Sequence, residues 1–249
     1  MPNQLADGVY SIGRDRIEVY AIEEGGRLTL VDSGLKSDWD HINAEVAALG
    51  KTLHDIEAVL LTHAHADHMG CAERLRSEAG AHVQVHSDDL DLATGKAKPP
   101  RDPKGKSMLS YGLPLFITLF QFVRKGAASA PPPLVDPATF NDGEVLDLPG
   151  RPKVVHVPGH THGSAAFHLP ERRVLFTGDA LVSYNFYTRK AGAQISPSPF
   201  NADSQQALSS LKNLEGLDAS IVLPGHGAPM PDLGEAIAAA RRHGTDAKP

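Results

Sequence analysis

Short apolar runs, most of them closed by glycine, aspartate or histidine, recur along this chain and set its expected secondary structure. Val9-Tyr10-Ser11-Ile12 and Ile17-Glu18-Val19-Tyr20-Ala21-Ile22 alternate in part and predict paired strands, and after the Gly25-Gly26 turn Leu28-Thr29-Leu30-Val31 predicts a third. Trp39, Ile42, Val46 and Leu49 recur at helical spacing, so a helix is expected from Asp38 to Leu49, stopped by Gly50. Val59 to Leu61 predicts the end of a buried strand, a helix follows to about Ala79, and His82 to His86 predicts another strand. In the second half Glu144 to Leu148, Lys153 to Val157, Ala165 to Leu169 and Arg173 to Phe176 are short and β-like. Asp203 is placed to cap a helix reaching Leu214, a strand ends at Leu223, and a last helix is expected from Leu233 to His243.

The middle of the chain breaks this rhythm. Proline-rich segments at Ala97 to Arg101 and Ala130 to Pro133, with a basic stretch from Lys96 to Lys106, bracket an insertion at about residues 95–135. Inside it, Pro114 suits a first helical turn, Arg124 and Lys125 a last one, and Gly126 the residue beyond. Leu109, Leu113, Phe116 and Phe120 form one apolar stripe, and Leu115, Leu119 and Phe122 a second. A helix at 113–123 that is apolar nearly all round cannot be buried by one face alone, and it is too short to cross a bilayer. It reads as core, as half of a homodimer contact, or as an apolar wall over a pocket. The last two also allow shallow membrane contact, and none of the three is a stable anchor.

Composition narrows the partners. The chain has 249 residues, 41% of them hydrophobic, and a net charge of −6. An acidic balance disfavours nucleic acid and leaves a small-molecule substrate as the expectation. Cys71 is the one cysteine, so no internal disulfide forms, and packing is its expected role. The first residues lack both a basic start and an apolar core, so a cytoplasmic location is expected.

The chemistry concentrates in His63-Ala64-His65-Ala66-Asp67-His68, directly after the strand ending at Leu61 and before the next helix. Neutral imidazole and carboxylate are the usual ligands of zinc and similar ions. Solvated turns favour Gly, Asn, Asp and Ser, so three histidines in one turn need a chemical reason. Three further fragments share one grammar, a short apolar strand, a glycine and a ligand-type residue: Pro158-Gly159-His160, Thr177-Gly178-Asp179 and Pro224-Gly225-His226. Strand ends hold side chains rigidly, and glycine lets backbone approach closely. His82 and His86 read as strand-end histidines, His156 and His168 as structural ones, and His162 as a turn residue within reach of a pocket mouth.

With these motifs in hand, the chain resembles the metallo-β-lactamase-fold superfamily over nearly its whole length, through His63-x-His65-x-Asp67-His68, His160, Asp179, His226 and an early Val31-Asp32-Ser33-Gly34. The resemblance implies an α/β fold, a four-layer αβ/βα sandwich built as a single domain over residues 1–249 with the apolar helical insertion. It implies two divalent metal ions, with zinc expected and iron or manganese as alternatives. His63, His65 and His160 would hold the first ion, Asp67, His68 and His226 the second, and Asp179 would bridge them. Asp32 would stand behind the ligands as an outer-shell partner.

The activity that the resemblance implies is that of a metal-dependent hydrolase of a carboxylic ester, lactone or thioester, acting through a metal-bridged hydroxide, with Asp67 and Asp179 as catalytic residues. Lactones come slightly ahead, because the superfamily's lactone hydrolases are of this size and have an apolar acyl pocket. Their tyrosine lies three positions after the bridging aspartate, where this chain has Val182, so Tyr184 becomes the candidate, with Tyr187 and Arg189 as further contacts in the same loop. True β-lactamases of this fold lack an aspartate matching Asp179, which sets β-lactam amide hydrolysis behind. A second class stays open: an iron persulfide dioxygenase using His63, His160 and Asp179 alone.

Overall fold

In the computed structural model, which describes residues 2–112, 116–117, 120 and 130–245, two sheets lie face to face. The first has seven strands in chain order: β1 Asn3–Ala6, β2 Val9–Ser11, β3 Tyr20–Glu24, β4 Arg27–Val31, β5 Ile56–Leu60, β6 His82–His86 and β7 Ala138–Phe140. Pairing is antiparallel up to β4 and parallel from β4 to β7. The second sheet holds β8 Lys153–His156, β9 Ala165–Leu169, β10 Val174–Gly178 and β13 Ile221–Pro224, in the order β13-β10-β9-β8. Strands β11 Val182–Asn185 and β12 Lys190–Gln194 form a separate hairpin.

The burial pattern makes four layers. Alternating positions on a strand face opposite sides of its sheet, and here both sides are apolar. Val31 and Leu60 face inward, where they meet Val154, Phe167, Val174, Phe176 and Leu223 of the other sheet. Leu28, Leu30, Val59 and Leu61 face outward against Ile42 and Val46 of the helix Trp39–Ala48 and against Ala72 and Leu75. Leu175 and Val222 face outward on the second sheet, against Ala207, Leu211 and Leu214 and against Ala236, Ile237 and Ala240 of the helix Leu233–His243. Helix, sheet, sheet, helix is the expected αβ/βα sandwich, with one apolar core between each pair of layers.

Several expectations need correction. The strand expected from Ile17 begins only at Tyr20, because Ile17 is drawn into bridges with Arg14 and with His226 across the sheets. Glu144 to Leu148 is not a strand, and only Val145 pairs, with Lys153. The helix expected from Cys71 is one α turn, Ala72–Arg74, widening into a π turn over Leu75–Ala79 that ends on left-handed Gly80. Strands β1 and β7 and the β11–β12 hairpin were not expected. Of the stretch 113–123 only Phe116, Ile117 and Phe120 are described, all helical, with both phenylalanines exposed, and the rest lies outside the described residues. Among the described residues no helix is long and apolar enough to cross a membrane.

Parallel pairing decides where the chemistry gathers. Strands β4 and β5 run parallel, as do β10 and β13, so their carboxyl ends share an edge. Asp32, the turn from Thr62 to His68, Asp179 and His226 all come directly after those ends. Glu18 N donates to Gly225 O at 3.0 Å and Tyr20 Oη to Pro224 O at 2.7 Å, tying the two sheets together beside it.

Candidate metal centre

The turn carrying the histidines is fixed from behind by Asp32, a non-glycine residue at φ 62° and only 2% exposed. Its carboxylate accepts from Thr62 N at 2.8 Å, from Thr62 Oγ1 at 2.8 Å and from His68 Nδ1 at 2.8 Å. Ser33 N and Oγ both donate to His68 O, and Gly70 N donates to Gly34 O. The loop from Asp32 to Gly34 is therefore a clasp around the turn. A second clasp is Asp89, buried in the short turn after β6, which accepts from Ala64 N at 3.0 Å, Thr161 Oγ1 at 2.7 Å and Gly163 N at 2.8 Å. It joins the turn at His63 to the loop that carries His160.

The structure brings together all seven candidate ligands. His160 Nε2 lies 3.1 Å from His63 Nε2 and 2.9 Å from His65 Nδ1. Asp179 Oδ2 is 3.5 Å from His160 Nε2 and 3.3 Å from His226 Nε2, and Asp179 Oδ1 is 3.5 Å from His68 Nε2. Asp67 Oδ2 is 3.3 Å from His226 Nε2 and 3.9 Å from His68 Nε2. Four of the histidines have their remaining nitrogen tied: His63 to Thr62 Oγ1 at 3.1 Å, His68 to Asp32, His160 to Asn201 Oδ1 at 2.9 Å, and His226 to Arg16 O at 3.1 Å. Such outer bonds choose the tautomer and aim the free lone pair inward.

These contacts fit cations better than hydrogen bonds. One nitrogen, His160 Nε2, faces two others at hydrogen-bond distance, and a single proton cannot serve both. His68 Nε2 and Asp179 Oδ1 are fully buried with no hydrogen-bond partner among the described residues, a costly state unless something else fills the gap. Gly225 leaves the room, since a Cβ there would stand 2.5 Å from Asp179 Oδ1 and 2.8 Å from His68 Cε1. His63, His65 and His160 form one triad and Asp67, His68 and His226 another, with Asp179 between them.

Electrostatics divide the cage. Burial, together with neighbouring histidines, pushes His65 down to about 3 and His63 well down, so both rings are neutral. Burial also opposes charge on His68, but Asp32, Asp179 and Asp67 outweigh it and hold the ring at about 9. His226 is raised in the same way, against its burial, by Asp179 and Asp67. A histidine raised above its unfolded value of 6.5 contributes stability that is complete below that pH and is lost as pH rises through about 9. Ligation takes the neutral ring instead and expels the proton. Chelated protein should therefore lose Tm between about pH 6.5 and about pH 9 through His68, while loading it at neutral pH acidifies a weakly buffered dye solution. A Tm independent of pH over that range, with no proton release, would contradict this arrangement.

The cage floors a cavity of about 420 Å³. Leu35, Pro99, Pro100, Val182, Phe186 and Phe200 make its walls largely apolar, and Arg101 stands at the rim. Tyr184 lines the cavity with the Arg16 guanidinium 3.9 Å over its ring. Tyr187 lines the cavity and stacks on Phe200 at 4.3 Å, and burial together with Asp67 and Asp179 pushes its phenol well up, so it stays protonated. Arg189 sits exposed near the hairpin tip, outside the cavity lining. His162 is exposed and also outside that lining, with its carbonyl taken by His156 Nε2 at 2.8 Å. Cys71 donates to Leu35 O at 3.1 Å, and burial pushes its thiol up to about 12, so it packs rather than reacts.

Sequence reasoning missed Asp89, Asn201 and Ser196. Asn201 Nδ2 donates to Ser196 O, and Ser196 Oγ to Asp179 Oδ2 at 3.1 Å, linking the outer bond of His160 to Asp179. No motif marks these residues, because they act from loops remote in the chain.

Comparison with known proteins agrees with this architecture. The sequence profile of the Metallo-beta-lactamase superfamily matches residues 12–226. The probable metallo-hydrolase YflN of Bacillus subtilis (strain 168) is 29% identical over 238 residues, covering 91% of this chain and 86% of its own. Hydroxyacylglutathione hydrolase GloC of Haemophilus influenzae is 29% identical over 177 residues, 70% of each chain. Among solved structures, a metallo-beta-lactamase family protein of Thermus thermophilus has a TM-score of 0.69 at 25% identity, covering 96% of this chain and 80% of that one.

Proposed function

This chain belongs to the metallo-beta-lactamase superfamily, and from that premise we propose that it is a dinuclear metal-dependent hydrolase of carboxylic esters, lactones or thioesters, with zinc as the expected ion. The observation that supports it most is the pair of triads sharing Asp179 at the floor of an apolar cavity. When bound, divalent ions supply an ionised water at neutral pH and a Lewis acid for the substrate carbonyl. The chain's own residues do the rest. His63, His65 and His160 stay neutral, as ligands must, because burial keeps protons off them. Asp179, held ionised by His226, His68 and His160 despite its burial, is the group placed to receive a proton and return it to the leaving oxygen or sulfur. The phenols of Tyr184 and Tyr187, which both line the cavity, are the candidate donors to a developing oxyanion.

The cavity walls suit an acyl chain and the volume suits a small molecule. Each methylene buried against Phe186 and Phe200 is worth about 0.8 kcal/mol, or roughly fourfold in kcat/KM. Efficiency should climb by that factor along an acyl series until the cavity is full, and Phe186→Ala should flatten the climb. A flat series in the unsubstituted protein would remove the acyl reading.

A substrate panel tests the wider proposal. A lactone, an aryl ester, a thioester and a β-lactam are assayed for hydrolysis, and a persulfide for oxygen uptake. Chelator-sensitive hydrolysis of one of the first three is the expected result. Oxygen uptake with the persulfide and no hydrolysis would overturn it in favour of the mononuclear iron reading.

A further inference from the structure

One stretch of the chain runs against its overall charge. Residues 96–135 carry seven lysines and arginines and a single acid, Asp102, in a chain of net charge −6. Within this stretch Pro99, Pro100 and Arg101 form part of the cavity wall. Among the described residues Arg101 is the one lysine or arginine in that lining. The guanidinium of Arg16 lies over the ring of Tyr184 and is not part of it.

Asp102 fixes this strap against the loop that supports the cage. Its N–H donates to Asn201 O at 2.6 Å, and its Oδ2 accepts from Ser204 N at 3.0 Å. Its Oδ1 accepts from Lys104 N at 2.8 Å, and Lys106 N donates to Ser198 Oγ at 2.9 Å. Asn201 is also the residue whose side chain is tied to His160 Nδ1. The backbone at Arg101 is thus held in register with the metal ligands. Both oxygens of Asp102 are engaged by backbone N–H groups, and among the described residues no acid pairs with Arg101.

We propose that Arg101 is a specificity-determining residue that selects acyl substrates whose far end carries a carboxylate. This rests on the acyl-hydrolase reading above and narrows its substrate class. A guanidinium presents two parallel N–H donors that match the two oxygens of a carboxylate. The walls between the cage at the floor and Arg101 at the rim are apolar, with Pro99, Pro100, Phe186 and Phe200 among them. An aliphatic chain fits such walls, with its scissile carbonyl at the cage and an anion at the rim. Lys98 and Lys104 flank Arg101 in sequence, so the field around it is positive. Arg101 is exposed, and a solvated pair is worth less than a buried one, so the expected discrimination is ~10-fold rather than thousands.

The test uses matched pairs of nitrophenyl esters on zinc-loaded protein: the half-ester of adipic acid against the hexanoate, and the half-ester of suberic acid against the octanoate. The quantity read is the ratio of kcat/KM within a pair, which cancels any general change in activity. At one chain length or both, the unsubstituted protein should favour the half-ester by ~10-fold, mainly through KM. Arg101→Gln should bring the ratio to about one, and Arg101→Lys should restore part of it. A second arm needs no turnover. Calorimetry compares binding of adipic and suberic acid monoanilides with that of the hexanoic and octanoic anilides, in the same three proteins. If no ester is hydrolysed but the acids bind ~10-fold more tightly through Arg101, the hydrolase reading fails and this inference stands. A ratio near one in the unsubstituted protein at both lengths overturns it. So does a preference that survives Arg101→Gln, which would put the carboxylate on the cage or on another cation.

Discussion

Asp32→Ala should cost the ion-free protein ~3–5 kcal/mol of folding stability, the usual penalty for stranding one partner of a buried charged pair. Asp32 is 2% exposed and bonds Thr62 N, Thr62 Oγ1 and His68 Nδ1. Alanine would leave a buried peptide N–H without an acceptor and a protonated imidazole without its nearest carboxylate, and would place a side chain of poor left-handed tolerance at φ 62°. Asp32→Asn separates these effects. Asparagine tolerates the backbone and still accepts from Thr62 N, but its amide group meets His68 Nδ1 as a donor and reverses the tautomer. That variant should fold, with zinc affinity lowered ~10–100-fold. Denaturant unfolding of chelated protein and zinc competition against a chromophoric chelator read the two outcomes. If Asp32→Ala unfolds within about 1 kcal/mol of the unsubstituted protein, the clasp is not what holds the turn.

Asp67→Ala should show the opposite split, a loss of turnover with the fold intact. Its side chain is 24% exposed, lines the cavity and, among the described residues, pairs with His226 and His68 at 3.3 and 3.9 Å. Partly solvated pairs of this kind hold a fold by ~1 kcal/mol or less. As the carboxylate of the second triad, however, Asp67 is needed for the ion expected there, and such an ion stabilises transition-state charge by several kcal/mol. At about 1.4 kcal/mol per decade, turnover should fall ~10³-fold. Thermal denaturation and single-substrate kinetics on the same preparation check both halves. Turnover at the unsubstituted rate would sink the two-ion mechanism, and a collapsed Tm would mean that Asp67 is structural.

The seven candidate ligands were legible in the sequence because metal chemistry admits few residue types and because each comes after an apolar strand. The helix Leu233–His243 and the helix capped by Asp203 were legible too, since spacing and caps are local properties. What the chain alone left undecided depends on contacts between remote segments. Which loop tyrosines line the cavity turns on the β11–β12 hairpin, whose polar and glycine-containing second strand carries little apolar alternation. Asp89 clasps loops 25, 72 and 74 residues away, and nothing beside it in sequence marks it. His86 and His156 are each ordinary strand-end histidines until the two sheets bring their rings together. Local pattern determines which residues are buried and which types of atom await a partner. Only closure of the sandwich determines the partner, because a polar group buried at the strand ends must be satisfied by whichever loop the topology places against it.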